Sequence, residues 1–272
     1  WLSHAFKAGI VEQATFAFKG ALSDFPFAQN DQSNHFKLTG RYRDLDIDYV
    51  PDAPLNDKWP RLKGAIGTLN IDQDNIAVLA NMGQLFIEHE TNHYDVGIKN
   101  LRVDIKSLAL NPTVSVVTQT LGAADDYLNL IKYSALSSFT PPNISKATVD
   151  GLWELPFTVN LSIEKPEDAV FDANLLFKQN NISFDGLTIA SQVNGQLNIS
   201  DKGLKTDTLT ATVLGGPISL RGTLGDTNRE LLINGEMSVA ALSDSSKSPL
   251  MALLKGKFAY QAKIEQFDSK QT

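Results

Sequence analysis

Val193-Asn194-Gly195-Gln196-Leu197-Asn198-Ile199 rewrites a pattern that stands earlier as Ala65-Ile66-Gly67-Thr68-Leu69-Asn70-Ile71. Both copies read Gly-x-Leu-Asn-Ile. Each is followed by a polar break, Asp72-Gln73-Asp74-Asn75 or Ser200-Asp201-Lys202-Gly203, and then by an apolar residue at the same distance, Ile76 or Leu204. Alternating apolar and polar residues around a short turn-forming break are the signature of a β-hairpin. The spacing from Gly67 to Gly195 far exceeds the roughly 20–50-residue period of ordinary repeats, so the repeating unit is a module of many strands.

Working outward, period-two alternation dominates the chain. Thr15-Phe16-Ala17-Phe18 and Phe36-Lys37-Leu38-Thr39 put apolar side chains on one face only. Asp44-Leu45-Asp46-Ile47-Asp48-Tyr49 does so most sharply, placing three carboxylates on a face given to water. Beyond the Pro-rich stretch 50–60, strands are expected at Lys63 to Ile71, Asn75 to Ala80, Gln84 to His89, Tyr94 to Lys99 and Leu101 to Ile105. Asn81-Met82-Gly83 and Thr91-Asn92 read as turns between them. Between Asn111-Pro112 and Phe139 no strand alternation is legible, and Val116, Leu121, Ala124, Leu128 and Ile131 recur at helical spacing through Gly122 to Tyr133. After Pro141-Pro142 the extended pattern returns at Leu155 to Ile163, Val170 to Phe177, Ile182 to Ala190, Gln192 to Ile199, Lys205 to Val213, Pro217 to Leu224 and Glu230 to Val239. A Ser-rich segment with Leu250, Leu253 and Leu254 at helical spacing and a last strand, Lys257 to Ile264, complete it.

The expected fold is therefore mainly β. Roughly fifteen to seventeen short strands joined by tight turns make a long antiparallel meander, too long to stay flat and open. It is expected to form two modules, 1–140 with a helical segment at 112–139 and 141–272 with one at 243–255. Together they form one continuous curled groove. Composition leaves a closed sandwich core open as the alternative. An outer-membrane barrel fits poorly, because the strands are short and no aromatic girdles recur.

Lys+Arg number 24 against Asp+Glu 31, a net charge of -7, with no basic stripe, which argues against nucleic acid and anionic lipid surfaces as partners of this segment. The absence of Cys removes disulfides, thiolate metal sites and Cys nucleophiles. No apolar run approaches the ~18 residues of a membrane helix. The chain opens at Trp1-Leu2-Ser3-His4 with no initiator Met, so it is expected to be part of something longer.

His89-Glu90-Thr91-Asn92-His93 matches the H-E-x-x-H pattern of zinc peptidases. That chemistry needs a helix, which brings both imidazoles to one face and aims the Glu at metal-bound water. Here both flanks are strand-like and Thr91-Asn92 is a turn pair, so His89, Glu90 and His93 read as a hairpin tip and a chance match. Asp125-Asp126 and the Asp44, Asp46 and Asp48 set lack a calcium-loop closure, no serine sits in a nucleophile elbow, and Gly215-Gly216-Pro217 is a turn. No catalytic residue, metal or cofactor is expected.

The apolar stripe remains. It is either an ordinary core or the wall of an open trough for a lipid chain. An acyl tail, at about 0.8 kcal/mol per CH₂, leaves a bilayer only for a place nearly as apolar. Strand parity nominates Phe16, Phe18, Leu45, Ile47, Leu69, Ile71, Leu101, Val103, Val159, Leu161, Leu197, Ile199, Leu209 and Val213 as its lining.

Trp1-Leu2, Gly20-Ala21-Leu22-Ser23-Asp24-Phe25-Pro26-Phe27, Leu45-Asp46-Ile47-Asp48-Tyr49, Trp59-Pro60-Arg61-Leu62 and the Gly67 and Gly195 hairpins resemble those of the AsmA-like proteins, specifically the YhdP branch. The similarity runs over essentially the whole chain, with Asp-Phe-Pro-Phe and Trp-Pro its most specific elements. The resemblance implies a repeating β-groove that carries phospholipid through the periplasm of Gram-negative bacteria toward the outer membrane. It further implies an inner-membrane anchor outside these residues, flanking groove modules of the same longer chain, partner proteins in the two membranes, and no catalytic residues. The rival expectation is a structural or protein-binding β-sandwich of the cell envelope.

Overall fold

A computed structural model describes residues 4, 6–24, 27, 33–48, 51, 54, 58–140, 144, 146–165, 168–225, 229–239 and 256–265. Its strands are β1 (Phe6–Lys19), β2 (His35–Ile47), β3 (Arg61–Asp72), β4 (Asn75–His89), β5 (Asn92–Lys106), β6 (Thr113–Ala123), β7 (Ala147–Val149), β8 (Leu152–Ser162), β9 (Val170–Phe184), β10 (Leu187–Ser200), β11 (Gly203–Val213), β12 (Gly216–Gly225), β13 (Arg229–Ser238) and β14 (Lys257–Glu265), with one α-helix, α1 (Ala124–Lys132), among the described residues. They form one 14-stranded sheet in sequence order from β1 to β14, apart from β7, which pairs beside β9. Neighbouring strands such as β1–β2 and β2–β3 pair antiparallel, and the sheet does not close into a barrel. The mainly β, open-meander expectation is met. The helical segment expected at 243–255 lies outside the described residues.

Both repeats form the hairpins that their pattern predicts. Asp72 pairs with Asn75 across Gln73-Asp74, and Ser200 pairs with Gly203 across Asp201-Lys202. Gln73 takes the left-handed conformation at φ 57. Its amide clips the turn to β2, accepting from Phe36 N–H at 2.8 Å and donating to Asn34 O at 3.1 Å.

Four readings of the sequence are corrected. Asn81-Met82-Gly83 is not a turn: β4 runs through it, and the pairing of β3 with β4 merely shifts register between Ile66 and Gly67. Likewise β9 runs unbroken through the gap expected between Phe177 and Ile182, with Gln179 at φ 57, and the strand expected from Ile182 to Ala190 is cut by the turn at Asp185-Gly186. The extra residue at Asn81 is a β-bulge, which recruits the same glycines and amides as turns do. Residues 113–123, read as non-strand within the 112–139 helical segment, are β6, and the helix starts at Ala124. The alternation there is masked because Thr118 and Thr120 occupy apolar-face positions. Both are buried, with hydroxyls donating to Asn100 O at 2.7 Å and Leu155 O at 3.1 Å. Asp48 also departs from the water-facing carboxylate row, being 2% exposed.

The chain divides into two compact units. Unit 1 is Trp1–Gly122, Asp126–Ser145 and Leu155–Asp172; unit 2 is Ala123–Asp125, Lys146–Glu154 and Ala173–Thr272. Unit 1 has its buried centre at Tyr42, Leu62, Ala65, Ala80 and Ile98, with Leu45, Ile47, Leu69, Val78, Leu85 and Leu101 packed against it. Unit 2 buries Val149, Trp153, Leu175, Phe177 and Val193. There the rings of Trp153 and Phe177 meet edge-on at 5.6 Å, and side-chain amides replace ladder bonds at the bulges. Asn194 Oδ1 accepts from Gln179 N–H at 3.0 Å, and Asn181 Oδ1 accepts from Gln192 N–H at 3.0 Å. The Asp150 carboxylate accepts from both the backbone and side-chain N–H of Asn181, which holds it below the usual carboxylate range.

Candidate functional site

Directly opposed residues of an antiparallel ladder share a sheet face, so the register assembles the apolar side chains of unit 1 into rows. One row crosses six strands as Phe16, Leu38, Ile71, Ile76, Ile105 and Val114. Its neighbour is Ala14, Gly40, Leu69, Val78, Val103 and Val116, and the next is Tyr42, Gly67, Ala80, Leu101 and Thr118. At ~4.8 Å per strand the six-strand rows are about 24 Å long. In unit 2 the equivalent row is Gly195, Leu209, Leu220, Ile233 and Ala262, with Ala211 and Ile218 beside it.

Most of this surface is neither buried nor free. Leu38, Ile71, Ile76, Val78, Val103, Ile105, Val114 and Val116 are half-buried, while Phe16 keeps 70% and Phe18 40% of its surface. The two ends are closed differently. At one, Phe27 is buried and lies 5.8 Å from the Phe18 ring. At the other, the helical segment lies over β4 and β5. Tyr127, Leu128 and Leu130 are buried there, Tyr127 Oη donates to Thr120 Oγ1 at 2.7 Å, and the Tyr133 ring stacks on His89 at 3.9 Å and Tyr94 at 5.5 Å. Beneath it Ile87, Val96 and Ile98 are 1–5% exposed. The half-buried rows lie between these ends.

Of the nominated residues, Phe16, Phe18, Leu45, Ile47, Leu69, Ile71, Leu101 and Val103 fall on this one face of unit 1. Leu209 and Val213, with Leu197 and Ile199 alternating from Gly195, share a face of unit 2. Val159 and Leu161 of β8 are half-buried. The nominated set leaves out Leu38, Val78, Ile105, Val114, Leu220 and Ile233, which the cross-strand register adds to the same faces.

The H-E-x-x-H residues bracket the β4–β5 turn. Glu90 sits in it at φ 55. His89 belongs to the apolar face against Tyr133, whereas His93, paired with Glu88, lies on the other face 6.1 Å from Phe86. Imidazoles on opposite faces of a hairpin cannot share one ion. No group of His, Asp or Glu among the described residues is arranged to hold a metal.

Both repeat glycines stand on the apolar face beside register shifts. A Cβ on Gly67 would lie 1.7 Å from Leu79 O, and one on Gly195 would lie 2.3 Å from Thr208 O. Tyr42 Oη closes over the first of these contacts, donating to Leu79 O at 2.7 Å.

A family model described as YhdP protein matches residues 1–272, the entire chain. The chain belongs to the YhdP family. YhdP proteins are lipid-transport proteins of the cell envelope, and an open sheet with an apolar face suits that role. No curated protein and no solved structure matches the chain. No helix among the described residues is long and apolar enough to cross a membrane.

Proposed function

We propose that the apolar face shields the acyl chains of phospholipids moving between the inner and outer membranes, and that the chain performs no catalysis. In this reading it is a periplasmic stretch of a protein held in the inner membrane by a segment outside these residues. The observation that carries the reading is the row Phe16–Leu38–Ile71–Ile76–Ile105–Val114, apolar at every strand and not buried. Its ~24 Å exceeds the ~15 Å that one leaflet of a ~30 Å hydrocarbon core offers a chain. Each CH₂ laid on such a surface recovers part of the ~0.8 kcal/mol it would lose in water. Contact spread over many Leu, Ile and Val side chains holds the lipid nowhere in particular, which lets it slide.

The test is lipid content. Native mass spectrometry of the purified chain is expected to find bound phospholipid. Leu69→Asp with Leu197→Asp should deplete it, at about 2–3 kcal/mol per charge, the cost of a carboxylate at a bilayer centre. Equal lipid recovery from a folded double variant refutes the reading. A chain that never carries lipid favours an envelope binding domain instead.

A further inference from the structure

At one edge of unit 1 three neighbouring strands each carry an extra residue. β1 gains one between Phe6 and Ala8, β2 gains one at Asp44 (φ 53), and β3 gains one at Gly64 (φ 61). Strands that bulge together splay, and a cavity of about 80 Å³ opens between them. That is several times the ~10–15 Å³ that one water needs, and gives room for a phosphate-sized group.

Lys7, Arg61 and Lys63 line this cavity. Three cations converge in a chain whose net charge is -7. The Lys63 ammonium lies 4.3 Å and the Arg61 guanidinium 5.3 Å from the centre of the same Phe86 ring, which is 5% exposed. A buried aromatic platform thus fixes two like charges near each other. Their mutual repulsion is what a bound anion relieves. The one carboxylate in the lining, Asp46, has an oxygen committed to the bulge, accepting from Gly64 N–H at 2.7 Å. Glu88 reaches Arg61 from outside the lining, at 3.3 Å, and is 65% exposed. Ile47 and Leu62 complete the lining; both belong to the apolar face, opposite that of Arg61, Lys63 and Phe86, and Leu62 is 2% exposed.

We propose that this cavity is a phosphate-binding site. On the lipid-transport reading above, on which this part rests, the phosphate is the headgroup of an anionic phospholipid held at the strand ends, where half-buried Ile47 gives its chain a way to the apolar face. A free phosphate is the other source of the same chemistry. The site gives an otherwise non-selective sheet one point of polarity at the adjoining ends of β1, β2 and β3, so that a lipid is oriented head-first where it enters or leaves.

The experiment titrates the intact chain with inorganic phosphate, dihexanoyl phosphatidic acid and dihexanoyl phosphatidylcholine, by calorimetry or NMR. Phosphatidic acid should bind more tightly than phosphatidylcholine. K7Q/R61Q/K63Q should weaken phosphatidic acid about tenfold or more while leaving phosphatidylcholine within about twofold. Glu88→Gln, which frees Arg61 from its ion pair, should tighten phosphatidic acid binding, and it tests the site even if the triple variant does not fold. Phosphate binding that the triple variant abolishes, with neither lipid bound, upholds the anion site and overturns the lipid reading. Lipids that bind the wild type and both variants alike, whatever their headgroup, overturn the site and leave the lipid reading standing.

Discussion

Replacing Gly67 by Ala adds one methyl group where β3 meets β4. That methyl would lie 1.7 Å from Leu79 O, 2.7 Å from Leu79 C and 2.8 Å from Tyr42 Oη. Carbon–oxygen contacts of that length are forbidden, so β4 must retreat by about 1 Å or more, in a core that deforms at a cost of about 1–3 kcal/mol. The retreat also carries Leu79 O out of the 2.7 Å hydrogen bond from Tyr42, worth about 1 kcal/mol. The expected loss is about 2–4 kcal/mol. Gly195→Ala should match it, since its methyl would meet Thr208 O at 2.3 Å on a backbone at φ +124. Gly64 is the control: at φ +61 with no atom within 4 Å of the added carbon, Ala there bears only the left-handed backbone penalty of about 1–2 kcal/mol. Urea unfolding followed by far-UV circular dichroism measures all three, with the midpoint falling at constant slope. If Gly67→Ala costs no more than Gly64→Ala, close approach is not why glycine stands in the repeat.

Other expectations concern single contacts. Burial pushes the Tyr42 phenol up to about 12. The neutral form is favoured by folding, so the stability from Tyr42 is fully present below pH ~10, the unfolded value, and is lost as pH rises toward 12. Tyr42→Phe should cost about 1 kcal/mol at neutral pH and flatten the decline between pH 10 and 12, measured as urea stability against pH. Leu128→Ala, at a site 8% exposed under the helical segment, should cost about 2–4 kcal/mol, and a loss below about 1 kcal/mol would mean that the helix is not docked by this side chain. Asn180 is fully buried, accepting from Lys178 N–H at 2.9 Å and donating to Asp150 O at 2.6 Å. Asn180→Ala should cost about 2 kcal/mol and raise hydrogen exchange in β7 and β9 first.

How far the fold could be read from the sequence depended on whether each residue's local role was unique. The strands around Leu69 and Leu197 were legible because alternation and a polar break permit one reading. Asn81-Met82-Gly83 was misread because a bulge and a turn make the same demand of the backbone, and only the partner strand distinguishes them. β6 was missed because Thr118 and Thr120 put hydroxyls on the apolar face to hold Asn100 O and Leu155 O, acceptors distant in sequence. The same limit applied to the site. Parity nominated Leu69 and Ile71, but Val78 and Ile105 join them only through pairing. Lys7 meets Arg61 and Lys63 only because three strands bulge at one place.

The glycine–carbonyl contacts at Gly67 and Gly195 bear on a problem that any sheet of this kind must solve. A ladder of alternating Leu, Ile and Val has a translational degeneracy: sliding one strand by two residues returns every apolar side chain to the apolar face and breaks no pattern. A slip of β3 against β4 by two residues would bring Ala65 or Leu69 to the place where only a hydrogen atom fits against Leu79 O. The glycine thus acts as a key cut for a single alignment. A sheet whose apolar face is this uniform needs such keys, and the twice-written Gly-x-Leu-Asn-Ile supplies one for each unit.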